Sequence, residues 1–458
     1  PQFSDPSTPA SPNPSTHALS EPMISVGIMD HQTEVTGHFE GHYDVEGVGQ
    51  FSGKFSTKAA DGVAILFDAQ NIEIARSPKI RCIANPDSLF HISNVTIGID
   101  FHWERREEQA FEGNLILRYR KDGTIAVINE INLEDYLKSV ISSEMSSSSP
   151  KEFLKAHAIL SRSWLMAALH RKKTSHQRHE VAGIITEHEI IRWYDREDHD
   201  LYDVCADDHC QRYQGVTKIV LKQAEEAVHE THGKVITSGE DICDARYSKA
   251  CGGLTEKFAT AWGDRDAPCL ASISDSPIPH LPIGSEEDAE RWIMSQPVAY
   301  CNTEDEEILD KVLPNFDRET RDFFRWKVEY TREELEEILF ENSGFDFGTL
   351  QAITPLHRGP SGRISKLRIV GSKKSIVGGK ELEIRRWLSR SHLYSSAFVV
   401  KVRYNRQKEV ARFVLHGAGW GHGVGLCQIG AAVMASKGFT AEEILGHYFS
   451  GTKLQRLY

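Results

Sequence analysis

One change of hydrophobic period divides this chain. From Met23 to about Val127 it runs in short alternating or β-branched stretches, MISVGIM, GVAILF, NVTIGIDFHW and NLILRY, separated by Gly, Asn and Asp. Alternation with a period of two, bounded by turn residues, predicts antiparallel strands. At Leu133 the period becomes helical, because Leu133, Leu137 and Val140 lie four and three residues apart and so share one helix face. A chain patterned this way is α+β: a β-rich N-terminal region followed by a mixed α/β region.

The later elements follow from local signals. SSSSPKEFLKAHAILSRSWLMAALHRKK predicts a helix with Ser149 as N-cap, Pro150 at the first helical position and Glu152 closing a capping box. Its basic end, Arg171, Lys172 and Lys173, suits the helix dipole. A polar, His-rich stretch runs to about Gln214, and a charged helix is expected over 218–232. Acidic helical pieces occupy 285–345, where a solvated helical face is expected. Strand signals resume at RISKLRIVG and AFVVKVRY, and a glycine-rich segment then leads into two helices, with Thr440 and Glu443 forming a further capping box. No repeat of fixed period is present.

Composition removes several classes of function. Subtracting 66 acidic from 53 basic residues leaves a formal charge of −13, so neither nucleic acid nor an anionic membrane face is an expected partner. No apolar run reaches the roughly 18 residues of a membrane helix. The opening PQFSDPSTPASPNPSTHALSEP, residues 1–22, is too poor in apolar side chains to offset its ordering entropy and reads as a flexible tether. The sequence starts at Pro1 without Met or a leader-like stretch. This is the form a processed, exported protein takes, one lipid-anchored through a removed leader included. Eight cysteines permit export without dictating a disulfide framework.

Glu144 is the most suggestive carboxylate. Four residues beyond Val140, it falls on the buried stripe at the helix C-terminal end. There desolvation and the negative end of the dipole both disfavour the anion, the setting of a general acid. The plainer reading is a surface glutamate beyond a frayed end. Glu134 and Asp135, in the first turn, are accounted for by the dipole. Glycines 417, 419, 421, 423 and 425 alternate with Ala418, Trp420, His422 and Val424. Neither GxGxxG nor a P-loop fits them. Glycine at every second position of a strand leaves one face bare, for a flat ligand such as a sugar ring or for close packing against a neighbouring sheet, with Trp420 and His422 on the other face. His199, Cys205, His209 and Cys210, in HDLYDVCADDHC, have ligand types that suit zinc, although Cys205 and Cys210 could equally close a small disulfide loop. Cys251, beside Gly252 and Gly253, is either a nucleophile or, with no base nearby in sequence, a packed or paired cysteine.

Three co-ordered motifs carry a family resemblance. LEDYLKSVISSEMSSSSPKEFLKAHAILSRSWL, YSKACGGLTE followed by Trp262, and WGHGVGLCQIGA with EEILGHYFSGT resemble the stage II sporulation protein D family, which includes the amidase enhancers. Fainter echoes lie in QRYQG, SGRISKLRIVG and RRWLSRSHLYSSAFVV, so the resemblance spans about Asn114 to the C-terminus. It implies a peptidoglycan lytic transglycosylase acting on glycan strands stripped of peptide, with the glutamate of the EM element, Glu144, as catalytic acid. One acid would protonate the glycosidic oxygen between N-acetylmuramic acid and N-acetylglucosamine. As a carboxylate it would then take a proton from the muramic 6-hydroxyl, which closes a 1,6-anhydro ring. No second carboxylate is required to hold a water, unlike in paired-acid hydrolases.

By motif position the resemblance also implies Lys155, Arg162, Tyr247, Thr255 and His422 as substrate-binding residues, with Gln428 in support; Trp420, on the glycine-rich segment, is a further substrate-binding candidate. It favours a structural zinc on Cys205, His209 and Cys210, with His199 a fourth candidate; the chemistry itself requires no cofactor. Four positions depart from the pattern: His157 stands for glutamine, Ser163 for threonine, Cys251 for serine or threonine, and Cys427 for serine. The implied organisation is a tether (1–22), a β-rich region (23–113) and a catalytic domain (114–458) with insertions near 174–214 and 264–355. Two rival functions remain: a non-catalytic glycan-binding activator of a cell-wall amidase, and a zinc hydrolase, for which neither an open metal position nor a base is legible.

Overall fold

Alternating residues in the first hundred positions bury one face of a single large sheet. The structure is a computed structural model describing residues 20–98, 104–174, 182–194, 199–219, 221–265, 267–313 and 322–458; residues 1–19 of the expected tether and part of the 174–214 insertion lie outside these. The sheet has eleven strands. Met23–Gln32 pairs antiparallel with Ile125–Asn132, which pairs with Asn114–Tyr119 and through it with Lys79–Ala84. The long hairpin Glu34–Val45 and Gly49–Ala60 continues the sheet toward Val63–Asp68 and Glu73–Ser77. A boundary at 113/114 therefore passes through this sheet. At its far edge Val204–Cys205 pairs parallel with Met23–Gln32, which docks the Cys- and His-bearing loop onto the N-terminal strands.

The helical period forms three helices, α1 (Leu133–Glu144), α2 (Lys151–Thr174) and α3 (Lys222–Glu230); α1 packs on the strand Ile125–Asn132, and α2 and α3 pack on α1 and on each other. Leu133, Leu137 and Val140 are fully buried, and Glu144, at the end of the same stripe, is 8% exposed. The expected start of α2 is corrected. Ser149 Oγ has no hydrogen-bond partner, and the Glu152 carboxylate goes instead to Lys155 and to the Ala441 N–H. A helix neighbour and a tertiary partner thus take the carboxylate that the local cap would have used. The Thr440–Glu443 capping box forms as expected.

A second core lies within 182–418. Leu350–Arg358, Ile364–Gly371, Ser375–Gly379, Glu189–Trp193 and Ala182–Ile185 form one sheet, and Arg325–Thr331, Val410–Ala418 and Phe398–Tyr404 another. Trp326, Leu335, Leu367, Trp387, Phe398 and Phe413 fill the space between. The acidic 285–345 stretch is consequently more than a solvated surface. Its helices Glu286–Ile293, Glu306–Val312 and Arg332–Ser343 each bury one apolar edge, through Ile293, Val312 and Leu335 among others. Among the described residues no helix is long and apolar enough to cross a membrane.

The glycine run is also corrected. The strand ends at Ala418, and Gly419, Gly421, Gly423 and Gly425 take φ of +74°, +88°, +73° and +76°, so the segment is a chain of turns rather than a strand with a bare face. A Cβ on Gly425 would stand 2.1 Å from the Arg246 carbonyl oxygen, whereas one on Gly438, at φ +92°, would meet nothing. Gly438→Ala should therefore cost only the left-handed backbone term, about 1–2 kcal/mol. Gly425→Ala should cost roughly twice that, because a backbone clash is added. Urea unfolding of both variants checks the difference.

Candidate active site

A cleft of about 890 Å³ opens between the large sheet and the glycine turns. Glu144, Tyr247, Lys249, Arg212, Trp262, Trp420, His422 and Gln428 line it, as do His199, Cys205, His209 and Cys210. Glu144 reaches it because α1 ends there. Its Oε1 accepts hydrogen bonds from the Tyr247 hydroxyl at 2.8 Å and the Arg212 backbone N–H at 2.9 Å. Oε2 has no donor among the described residues. Lys249 donates from Nζ to the Glu144 carbonyl oxygen at 3.2 Å, one of the carbonyls a helix terminus leaves unpaired.

Two short segments deliver these partners. Tyr247–Ser248 pairs parallel with Leu426–Cys427, which sets Tyr247 and Lys249 beside the start of the helix Gln428–Ser436. QRYQG clamps α1 from the other side: Gln211 accepts from the Tyr136 hydroxyl, and the Gln214 N–H donates to Ser139 Oγ. Arg212 and Lys249 meet Glu144 and were not singled out by the sequence reading, although both lie inside the motifs that carried the resemblance.

The expected substrate-binding residues divide. Tyr247, Trp420, His422 and Gln428 line the cleft. Burial, then Arg246, Arg363 and Arg385, hold His422 neutral by lowering its pKa well below the ordinary value. Its Nδ1 accepts the Val424 N–H, and the Tyr247 backbone is a second partner, so the ring joins the glycine turns to the segment that carries Tyr247. Arg162, Thr255 and Lys155 lie outside the cleft lining, a correction to the reading by motif position. Arg162 is fully buried and paired in a fork with Glu134 at 2.8 and 2.6 Å. Glu134 also accepts from the Gly233 N–H and the Tyr458 hydroxyl, so the pair ties α1 and α2 to the C-terminus, and Glu134 is more than a first-turn dipole partner. Thr255 is buried and accepts the Ile273 N–H. Lys155 is held by Glu152 and Glu230.

His199, Cys205, His209 and Cys210 converge, with all four ligand atoms within 4.8 Å of one another. Cys210 Sγ lies 3.4 Å from both His199 Nε2 and His209 Nδ1, and Cys205 Sγ lies 3.8 Å from His209 Nδ1. Tetrahedral zinc at ordinary bond lengths separates S and N ligands by about 3.5 Å, so the donor set fits the ion in number, type and spacing. Cys205 and Cys210 are not joined as a disulfide; Cys243 and Cys269 are, 26 residues apart. Cys251 is buried among other cysteines rather than facing the cleft.

Residues 121–238 match the family described as Stage II sporulation protein. The chain is related to the stage II sporulation protein D family. Stage II sporulation protein D of Bacillus amyloliquefaciens is 22% identical over 328 residues, covering 71% of this chain and 75% of the relative. The protein of the same name from Bacillus subtilis (strain 168) is 24% identical over 332 residues, with the same coverage. The amidase enhancer of that organism is 22% identical over 244 residues, 50% of this chain and 32% of the relative. Residues 256–425 match a domain of unknown function, which takes in the stretch read from sequence as an insertion near 264–355.

His157, one of the departures from the family pattern, sits behind the site. It is 1% exposed, with Nδ1 3.1 Å from Ser161 Oγ and Nε2 3.0 Å from the Gln428 amide. Burial, reinforced by Lys249, lowers its pKa to about 3. The native ring stays neutral while the unfolded one takes a proton below about pH 6.5, so stability falls as pH drops from there toward 3. At pH 5 this amounts to about 2 kcal/mol relative to pH 7. His157→Gln should lose that share of the pH dependence in urea unfolding at the two pH values.

Proposed function

We propose that this protein is a peptidoglycan lytic transglycosylase, with Glu144 as the acid and then the base. The observation that carries the reading is the setting of Glu144: a nearly buried carboxyl at a helix C-terminus, open to an aromatic-lined cleft, with one oxygen fixed and the other without a donor among the described residues. Protonated Glu144 gives its proton to the glycosidic oxygen. The Tyr247 hydroxyl and Arg212 N–H then stabilise the carboxylate left behind, which removes the proton from the muramic 6-hydroxyl as that oxygen closes on the anomeric carbon. Among the cleft carboxylates Asp30 pairs with Arg120 and Asp208 with Arg212; the proposed route itself needs no paired acid. Trp420, partly exposed on the cleft wall, offers an aromatic surface of the kind sugar rings pack on, whereas Trp262 is buried beneath Arg246.

The substrate in this reading is a glycan strand freed of its peptides. Its place of action is the cell envelope, outside the cytoplasm, for which the Cys243–Cys269 disulfide is support. A lipid anchor carried by a leader would be compatible with that location. Zinc on His199, Cys205, His209 and Cys210 would be structural, bracing the loop that delivers Arg212. The similarity to an amidase enhancer supports a second reading, in which the cleft binds glycan without cutting it and activates a cell-wall amidase.

Digestion of peptide-free glycan strands separates the two. The expected products carry 1,6-anhydro-muramic ends by mass spectrometry, and Glu144→Gln should lower their formation by at least about a thousandfold while strand binding persists. Reducing ends alone would indicate hydrolysis, and binding without cleavage by the unaltered protein would favour the activator. Tyr247→Phe should slow turnover with little change in strand affinity, since its hydroxyl acts on Glu144.

A further inference from the structure

A second tetrad of ligand atoms lies buried behind the cleft. Cys251, Asp275, Cys301 and Cys427 come from four separate stretches of chain, all four side chains are buried, and their ligand atoms lie within 4.8 Å of one another. Two of the four, Cys251 and Cys427, are positions where the chain departs from its family pattern by exchanging a hydroxyl for a thiol; Cys301 comes from a different stretch of chain. The spacing distinguishes the uses such a cluster could have. Cys251 Sγ and Cys301 Sγ are 3.8 Å apart, too far for a disulfide at about 2.05 Å. Thiolates about 2.3 Å from a tetrahedral zinc lie about 3.8 Å from each other.

The surroundings are those of a closed metal site. The Gly253 N–H points to Cys251 Sγ at 3.4 Å, and the Cys251 N–H to Cys427 Sγ at 3.2 Å. The Asp275 carboxylate is oriented by the Tyr448 hydroxyl on Oδ1 and the Cys301 N–H on Oδ2. Such outer bonds orient ligands and fix their basicity. Among the described residues no lysine or arginine pairs with Asp275, and a buried carboxylate without a cation is costly. Gly430 makes room, because a Cβ there would stand 2.4 Å from Asp275 Oδ1.

We propose that Cys251, Asp275, Cys301 and Cys427 bind a second, structural zinc ion. Four protein ligands leave no open position, so the ion is a staple: it joins the turn after Lys249, the loops at 275 and 301, and the N-terminus of the helix that begins at Gln428. Both cleft segments that meet Glu144 and His157 then share one rigid support.

Zinc content of the full chain, reconstituted with zinc and freed of excess, tests this by elemental analysis. Cys251→Ser/Cys427→Ser restores hydroxyl side chains of the family pattern and should fold, as circular dichroism can verify. It should lose one zinc equivalent relative to the unaltered protein. Cys205→Ser/Cys210→Ser removes the cleft-lining site alone, so the fate of that site is read separately. In this second variant cobalt(II) should give intense thiolate-to-metal charge-transfer absorption, a measurement that stands even if the first variant fails to fold. Unchanged zinc content in a folded Cys251→Ser/Cys427→Ser protein, absence of that absorption, or a Cys251–Cys301 disulfide in the peptide map of metal-treated protein would each overturn the proposal.

Discussion

A single guanidinium, sealed from solvent, holds together the parts of the chain that make the cleft. Arg363 is fully buried and donates to the carbonyls of Gly421 and Cys251 and to Ser361 Oγ. One side chain thereby supplies hydrogen bonds to the glycine turns and to the YSKACGG turn, two irregular segments whose buried carbonyls would otherwise lack partners. Glu256 completes the arrangement. Also buried, it accepts from Ser361 Oγ and Thr260 Oγ1, and its backbone N–H bonds the Gly423 carbonyl. The left-handed glycines are the counterpart of this ion: a Cβ on Gly423 would stand 2.3 Å from the guanidinium carbon.

From that anchor the geometry of the site follows in order. The YSK segment is pinned, so Tyr247 and Lys249 meet the end of α1, and the glycine turns place Trp420 and His422 beside it in the cleft lining. Glu144 is presented by a helix whose other end is tied down by the buried Glu134–Arg162 pair. In our proposals one metal tetrad braces the Arg212 side of the cleft and a second braces the Lys249 side. Rigidity is what a single-acid mechanism needs, since the same carboxyl must meet the glycosidic oxygen and then the 6-hydroxyl.

Local features were legible in the sequence, and features created by distant partners were not. Glu144 could be placed because its burial follows from a three-and-four spacing within one helix, and the His199–Cys210 cluster because its ligands fall within a dozen residues. Arg162 was misplaced because its partners include Glu134 and, through it, Tyr458 at the far end of the chain. Thr255 is buried by a loop that returns on it only 16–18 residues later, at Ala271 and Ile273. The glycine run shows a different limit: spacing reports which residues lack side chains, not the sign of φ, and four left-handed glycines turn an apparent strand into turns. The buried tetrad lacked any CxxC-like signature, since its ligands are spread from 251 to 427. Arg212 and Lys249 were present in recognised motifs but carry no local mark of their role, which exists only where α1 ends.

The central claim is that a scissile sugar linkage sits against Glu144. A structure of the Glu144→Gln protein bound to a peptide-free glycan tetrasaccharide tests it most directly. The account predicts a glycosidic oxygen within about 3 Å of the residue 144 carboxamide, with a muramic 6-hydroxyl on the same side and a ring against Trp420. A glycan bound in the cleft with no linkage near residue 144, or bound elsewhere on the protein, would contradict it.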